Sequence, residues 1–168
     1  MNRGSTLIET VIYIFIFALL SGVMASALFS ITRSYAIIES SVTLETTAET
    51  ALERIVRETR NSLSIDAVES VLGSSPGTLV LNTTDENGAA ATLAFSLSGE
   101  AVRVKENGID IGPLSSGKAR VTRLLFTPVN TVNSSAVRIE MVVESGQDAN
   151  YKSKIFHTSA VLRGSYAP

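Results

Sequence analysis

Gly4-Ser5-Thr6-Leu7-Ile8-Glu9 leads through Thr10 into Val11-Ile12-Tyr13-Ile14-Phe15-Ile16-Phe17-Ala18-Leu19-Leu20-Ser21-Gly22-Val23-Met24-Ala25-Ser26-Ala27-Leu28-Phe29-Ser30-Ile31. After Glu9 no formal charge appears until Arg33. About twenty apolar residues is the length an α-helix needs to cross the hydrocarbon core of a bilayer, so this run reads as a membrane span. A secretory signal peptide also has a basic start and an apolar centre. This run is longer than a usual signal core, however, and Ala25-Ser26-Ala27 is followed by more apolar helix rather than a break. Glu9 is the residue a plain anchor leaves unexplained. A carboxylate at the edge of a span costs free energy and normally has a partner, yet the span holds no Lys or Arg.

Outward from this stretch, the 168 residues leave room for one modest soluble domain after the span. The formal charge is -2, and the basic residues are scattered rather than clustered, so no nucleic-acid partner is expected. With no cysteine, the domain is held by packing alone, and thiol redox chemistry and thiolate metal sites are excluded. Arg3 and the terminal amine on the short side of the span place the N-terminus in the cytoplasm and the domain outside.

Beyond Arg33, Tyr35, Ile38, Val42, Leu52, Ile55, Val56 and Leu63 recur at near-helical spacing. Glu39, Glu45, Glu49, Glu53 and Glu58 fall on other faces. No Pro or Gly interrupts residues 23–61, so the span is expected to continue as an amphipathic helix, with Leu52, Ile55 and Val56 as the seam against a sheet. Glu53 and Arg57 stand four apart, an acid-then-base order that supports a helix. Residues 61–77 read as a surface connector with one or two helical turns around Ile65-Asp66-Ala67-Val68-Glu69-Ser70-Val71-Leu72.

From Thr78 the pattern changes to short β-rich runs at 78–84, 91–97, 101–105, 109–111, 121–126, 136–144 and 153–162. Asp85-Glu86-Asn87-Gly88, Ser98-Gly99-Glu100 and Asn107-Gly108 punctuate them as turns. Val137, Ile139, Met141 and Val143 alternate with Arg138, Glu140, Val142 and Glu144, so one face of that strand is expected to be buried and the other wet. The fold class is therefore α+β. A long N-terminal helix, transmembrane and then amphipathic, packs on a C-terminal antiparallel β-sheet.

Little in the chain reads as chemistry. His157, the only histidine, sits in an alternating strand with no nearby partner in sequence and reads as structural. No serine lies in a nucleophile-elbow context, and no phosphate-cradling glycine loop occurs. Asp85-Glu86-Asn87-Gly88 lacks the spacing of a calcium loop and reads as a hairpin turn, and Asp148-Ala149-Asn150 has similar oxygens without a ligand pattern. No catalytic residue, metal ligand or cofactor is assigned.

Gly4-Ser5-Thr6-Leu7-Ile8-Glu9 before a long apolar helix resembles the processing site of type IV pilins and type II secretion pseudopilins. Ser5 stands where that family most often has Phe, and the proline many members carry in the span is absent, leaving Gly22 as the only local candidate for softening the helix. The ending Phe156-His157-Thr158-Ser159-Ala160-Val161-Leu162-Arg163-Gly164 is similar to the last strand of minor pilins of the W kind and pseudopilins of the J kind, with Gly164 in place of the usual Asn. Val121-Thr122-Arg123-Leu124-Leu125-Phe126 and Arg54-Ile55-Val56-Arg57-Glu58-Thr59-Arg60 resemble the same subgroup.

The resemblance implies a pilin-like fold and four segments: a leader over 1–4, a transmembrane assembly helix over 5–31, its amphipathic continuation over 32–62 and a globular β domain over 63–168. It implies cleavage between Gly4 and Ser5 by a prepilin peptidase, N-methylation of Ser5, and an assembly role for Glu9. The implied partners are that peptidase and methyltransferase, other pilins or pseudopilins, an inner-membrane assembly platform, and membrane lipid before assembly. The implied location is the inner membrane, single-pass, followed by a periplasmic or cell-surface filament. The rival reading is a membrane-anchored binding or sensor domain that is neither processed nor assembled.

Overall fold

The computed structural model describes residues 6–85, 87–115, 117–130 and 134–163, so Gly4 and Ser5 lie outside the described residues. One helix, α1, runs over Leu7–Asn61 without a break. It contains no proline and a single glycine, Gly22, and is α-helical through that glycine, where an added Cβ would meet nothing within 4 Å. The chain divides into two units inside α1, between Glu39 and Ser40.

In the first unit every described residue from Thr6 to Tyr35 is exposed. Several of its hydroxyls turn back onto the helix. Ser26 donates to the Val23 carbonyl at 2.8 Å, Thr32 to Leu28 at 3.0 Å and Ser34 to Ser30 at 2.9 Å. Such bonds let a hydroxyl face an apolar medium without an unmet donor.

The second unit has one core shared by α1 and two antiparallel sheets. The larger sheet has the order β1 (Ser64–Ile65), β2 (Thr78–Thr84), β3 (Ala90–Ser98), β4 (Ala101–Glu106), β5 (Ile109–Pro113), a meander with each strand beside the next. The smaller has β6 (Ala119–Asn130), β7 (Ser135–Ser145) and β8 (Lys152–Val161). The sequence led us to expect one sheet. There are two because the chain leaves β5 at Gly112-Pro113 and β6 pairs with β7 instead. The Val121 N–H still reaches the Glu100 carbonyl at 2.8 Å and ties the sheets together.

The alternation in β7 is as expected. Val137, Ile139, Met141 and Val143 are fully buried, while Arg138 faces water and Glu140, Val142 and Glu144 are half-buried. Its length and period follow from a strand with one face on a core.

The helix face that meets the sheets includes the expected seam and extends beyond it along small residues. Leu44, Ala48, Ala51 and Ile55 are buried, with Thr47 and Thr59 beside them. Their spacing is helical, and the alanines let the backbone of α1 come close to the sheets. Of the three residues expected to form the seam, Ile55 is fully buried and Leu52 and Val56 are half-buried against the same core, whereas Tyr35, Ile38, Val42 and Leu63 of the wider apolar series are exposed. The helix end is closed by polar groups rather than by a glycine. Thr59 donates to the Ile55 carbonyl and Ser62 to the Thr59 carbonyl, each at 2.7 Å, so both buried hydroxyls are satisfied. The ion pair near this end is Arg54–Glu58 at 2.9 Å, with Arg57 at 3.7 Å from the same carboxylate, rather than Glu53–Arg57.

The connector forms no helix among the described residues. Its first part pairs with β2 as β1, and a single turn follows in which Asp66 accepts from the N–H groups of Val68 and Glu69 at 2.9 and 3.1 Å. Residues 73–77 then lie along β6. Gly73 and Gly77 N–H groups donate to the Phe126 and Leu124 carbonyls, each at 2.8 Å. Gly77 suits this close approach, because a Cβ would stand 3.0 Å from the Leu124 oxygen and 3.1 Å from the Phe126 ring, and these neighbours would have to shift by a few tenths of an ångström to admit it.

At the far edge of the larger sheet, Asp110 receives Arg103 Nε at 2.8 Å and the Gly112 N–H at 2.9 Å. The Arg103 hydrogen bond, chiefly, holds the Asp110 carboxyl below its ordinary range.

Candidate assembly site

The site read from the sequence begins where α1 begins. The Thr6 carbonyl accepts from the N–H groups of Glu9 and Thr10, at 3.0 and 3.2 Å, and this places Glu9 in the first helical turn. A carboxylate there is favoured by the unpaired N–H groups and the positive end of the helix dipole. Thr6 and Glu9 also stand in the relation of a capping box, three residues apart. The observed side-chain partner of Glu9 lies elsewhere: the Tyr13 hydroxyl, one turn on, donates to Glu9 Oε1 at 3.0 Å. Reading the sequence for charge alone missed Tyr13, although its i+4 position was legible.

This hydrogen bond orients Glu9 but leaves its charge uncompensated within α1. Arg33, the next ionic residue along the helix, is 24 positions away, about 36 Å at 1.5 Å per residue. Both Glu9 and Tyr13 are exposed.

Around the acid, the large apolar side chains of residues 7–31 are uncovered, from 47% exposed at Ile16 to 83% at Leu7. This helix is long and apolar enough to cross a membrane. Ala18, Gly22 and Ala25 fall at i, i+4 and i+7 and so share one face, where small side chains let another helix approach closely.

The residues read as structural lie on one strand and in two turns of the second unit. His157, on β8, is exposed, and its Nδ1 lies 3.7 Å from Glu140 on β7, which also meets Arg123 at 3.3 Å. Asp85 Oδ1 accepts from the N–H groups of Asn87 and Ala89, each at 2.8 Å, so its carboxylate is used in closing the hairpin between β2 and β3. Asp148 and Asn150 bound a short 3-10 turn, Asp148–Asn150. Among the described residues no group of three or more His, Asp or Glu side chains is placed to hold a metal ion.

Comparison with protein-family models, with curated proteins and with solved structures gives no match.

Proposed function

We propose that this chain is a minor pilin or pseudopilin, a structural subunit of a type IV pilus-like filament or of a type II secretion or DNA-uptake pseudopilus. In this reading the precursor sits in the inner membrane with its N-terminus in the cytoplasm. A prepilin peptidase cuts between Gly4 and Ser5, the new amine on Ser5 is methylated, and the subunit passes from lipid into a filament through residues 5–31.

The observation that carries the reading is the apolar stretch of α1 over residues 7–31, exposed throughout, whose one acid has a hydroxyl partner but no cation within reach among the described residues. Sister helices offer what this helix lacks. Their apolar faces replace lipid, and the freed amine of a neighbour supplies a countercharge for Glu9. The activity is mechanical, and the chain is the substrate of an enzyme rather than a catalyst. Its partners are the processing peptidase and methyltransferase, other pilins or pseudopilins, and the membrane platform that assembles them.

Mass spectrometry of the protein from its native membrane tests this. The expected mature chain begins at Ser5 and carries one added methyl group. A chain that retains Met1 to Gly4 overturns the reading and leaves a single-pass anchored binding or sensor domain.

A further inference from the structure

The sheet edges of the C-terminal unit are unequally protected. An open edge presents unpaired N–H and C=O groups, and proteins usually blunt it. β1 is two residues long. β5 is five residues long, shifts register against β4 and ends at Pro113. The middle of the free side of β6 is taken by residues 73–77 through Gly73 and Gly77.

β8 is neither short, nor bulged, nor covered, and its only blunting groups are the lysines at its start, Lys152 and Lys154. Its ten residues pair in unbroken register with β7, contain no proline or glycine, and among the described residues have no strand on the other side. Alternate residues of such an edge turn their N–H and C=O outward, about five of each over this length. Ile155 is 55% exposed and Val161 40%, so apolar side chains are uncovered along it.

The charge left unpaired around this edge is positive. No acid occurs from Tyr151 to Arg163, and the nearest in the chain, Asp148, lies in the turn before the strand. The acids on β7 are already engaged, Glu140 by Arg123 and His157, and Glu144 by Arg120 and the Thr122 hydroxyl. Lys154 is held by Glu45 of α1 at 2.7 Å. Among the described residues Lys152, Arg163 and Arg138 have no acidic partner. Arg138 stands opposite Ser159 and lines a shallow recess with His157, Thr158 and Ser159.

We propose that the free edge of β8 is a docking site for an extended acidic segment of another polypeptide, which adds as a strand and seats a carboxylate against Arg138. Main-chain hydrogen bonds supply the attachment, and the uncompensated cations select the partner. A second copy of this chain fits less well. Antiparallel pairing of two β8 edges sets Lys152 beside Arg163, and parallel pairing sets each against itself, so like charges meet in both. The site does not depend on processing or filament assembly.

The test uses the full chain in detergent and two synthetic probes, Glu-Val-Glu-Thr-Val-Glu and the same peptide with Lys at each Glu. Amide hydrogen exchange is followed along every strand. The acidic probe is expected to slow exchange within 152–161 while leaving β2 and β4 unchanged, and the lysine probe to have no effect. Arg138→Glu and Lys152→Glu, both at exposed positions, are each expected to weaken binding by at least about tenfold. The proposal is overturned by unchanged exchange in β8, by equal protection from both probes, or by wild-type affinity in both charge reversals. Self-association through β8 without any probe overturns the choice of occupant.

Discussion

Replacing Glu9 by glutamine tests the assembly reading with little change in shape. The carbonyl of the new amide can still accept the Tyr13 hydroxyl, which now reaches Glu9 at 3.0 Å, and the first turn keeps its backbone bonds to Thr6. What disappears is one negative charge. If a neighbour's amine sits about 4 Å from that carboxylate, in surroundings of effective dielectric near 20, the attraction is about 4 kcal/mol. Ordering two groups and partial hydration offset much of this. If only about 1.4 kcal/mol survives, it changes the partition between membrane and filament about tenfold. The assay compares subunit in sheared or pelleted filaments with subunit left in the membrane, beside mass spectrometry of the N-terminus. Glu9→Gln is expected to be processed near normally and depleted from filaments by about tenfold or more. Wild-type incorporation of the processed variant would refute the charge pairing. Loss of processing would show that Glu9 acts earlier, in recognition by the peptidase.

Two further outcomes test the fold. Ala51→Leu, at a fully buried position between α1 and the sheets, is expected to lower stability by about 1–3 kcal/mol through overpacking, whereas Val42→Ala, on an exposed face, is expected to stay within about 0.5 kcal/mol of wild type; thermal unfolding followed by near-ultraviolet circular dichroism checks the order. Because the folded Asp110 carboxyl lies below its ordinary range, its contribution is present above the unfolded value of about 3.9 and is lost as pH falls through the lower folded value. Asp110→Asn should therefore be less stable than wild type near neutrality and converge with it in acid. A pH-independent difference in denaturant midpoint would refute that assignment.

The apolar run, the acid inside it and the β turns were legible because each is a local pattern. Twenty apolar residues in a row, an isolated carboxylate, or an Asn-Gly step between alternating segments has the same meaning wherever the rest of the chain lies. Strand positions from Thr78 onward followed from that grammar, as did the inward residues of β7. On α1 hydrophobicity identified the seam at Leu52, Ile55 and Val56 but not the rest of the covered face. Tyr35, Ile38 and Val42 are the more apolar side chains and stay exposed, while Ala48, Ala51 and Thr47 are buried. Small residues carry weak signals in a sequence, yet they are what a close helix-to-sheet approach requires.

The chain by itself thus determined a membrane-length helix, a lone acid near its start and an antiparallel β domain. Tertiary structure alone decided which face of α1 is covered, that the strands divide into two sheets, that Gly77 lies against β6, and that β8 keeps an open edge. The physical reason is that length, charge and alternation belong to neighbouring residues, whereas burial and edge pairing are relations between segments far apart in sequence. Those relations are settled only when the segments compete for the same core.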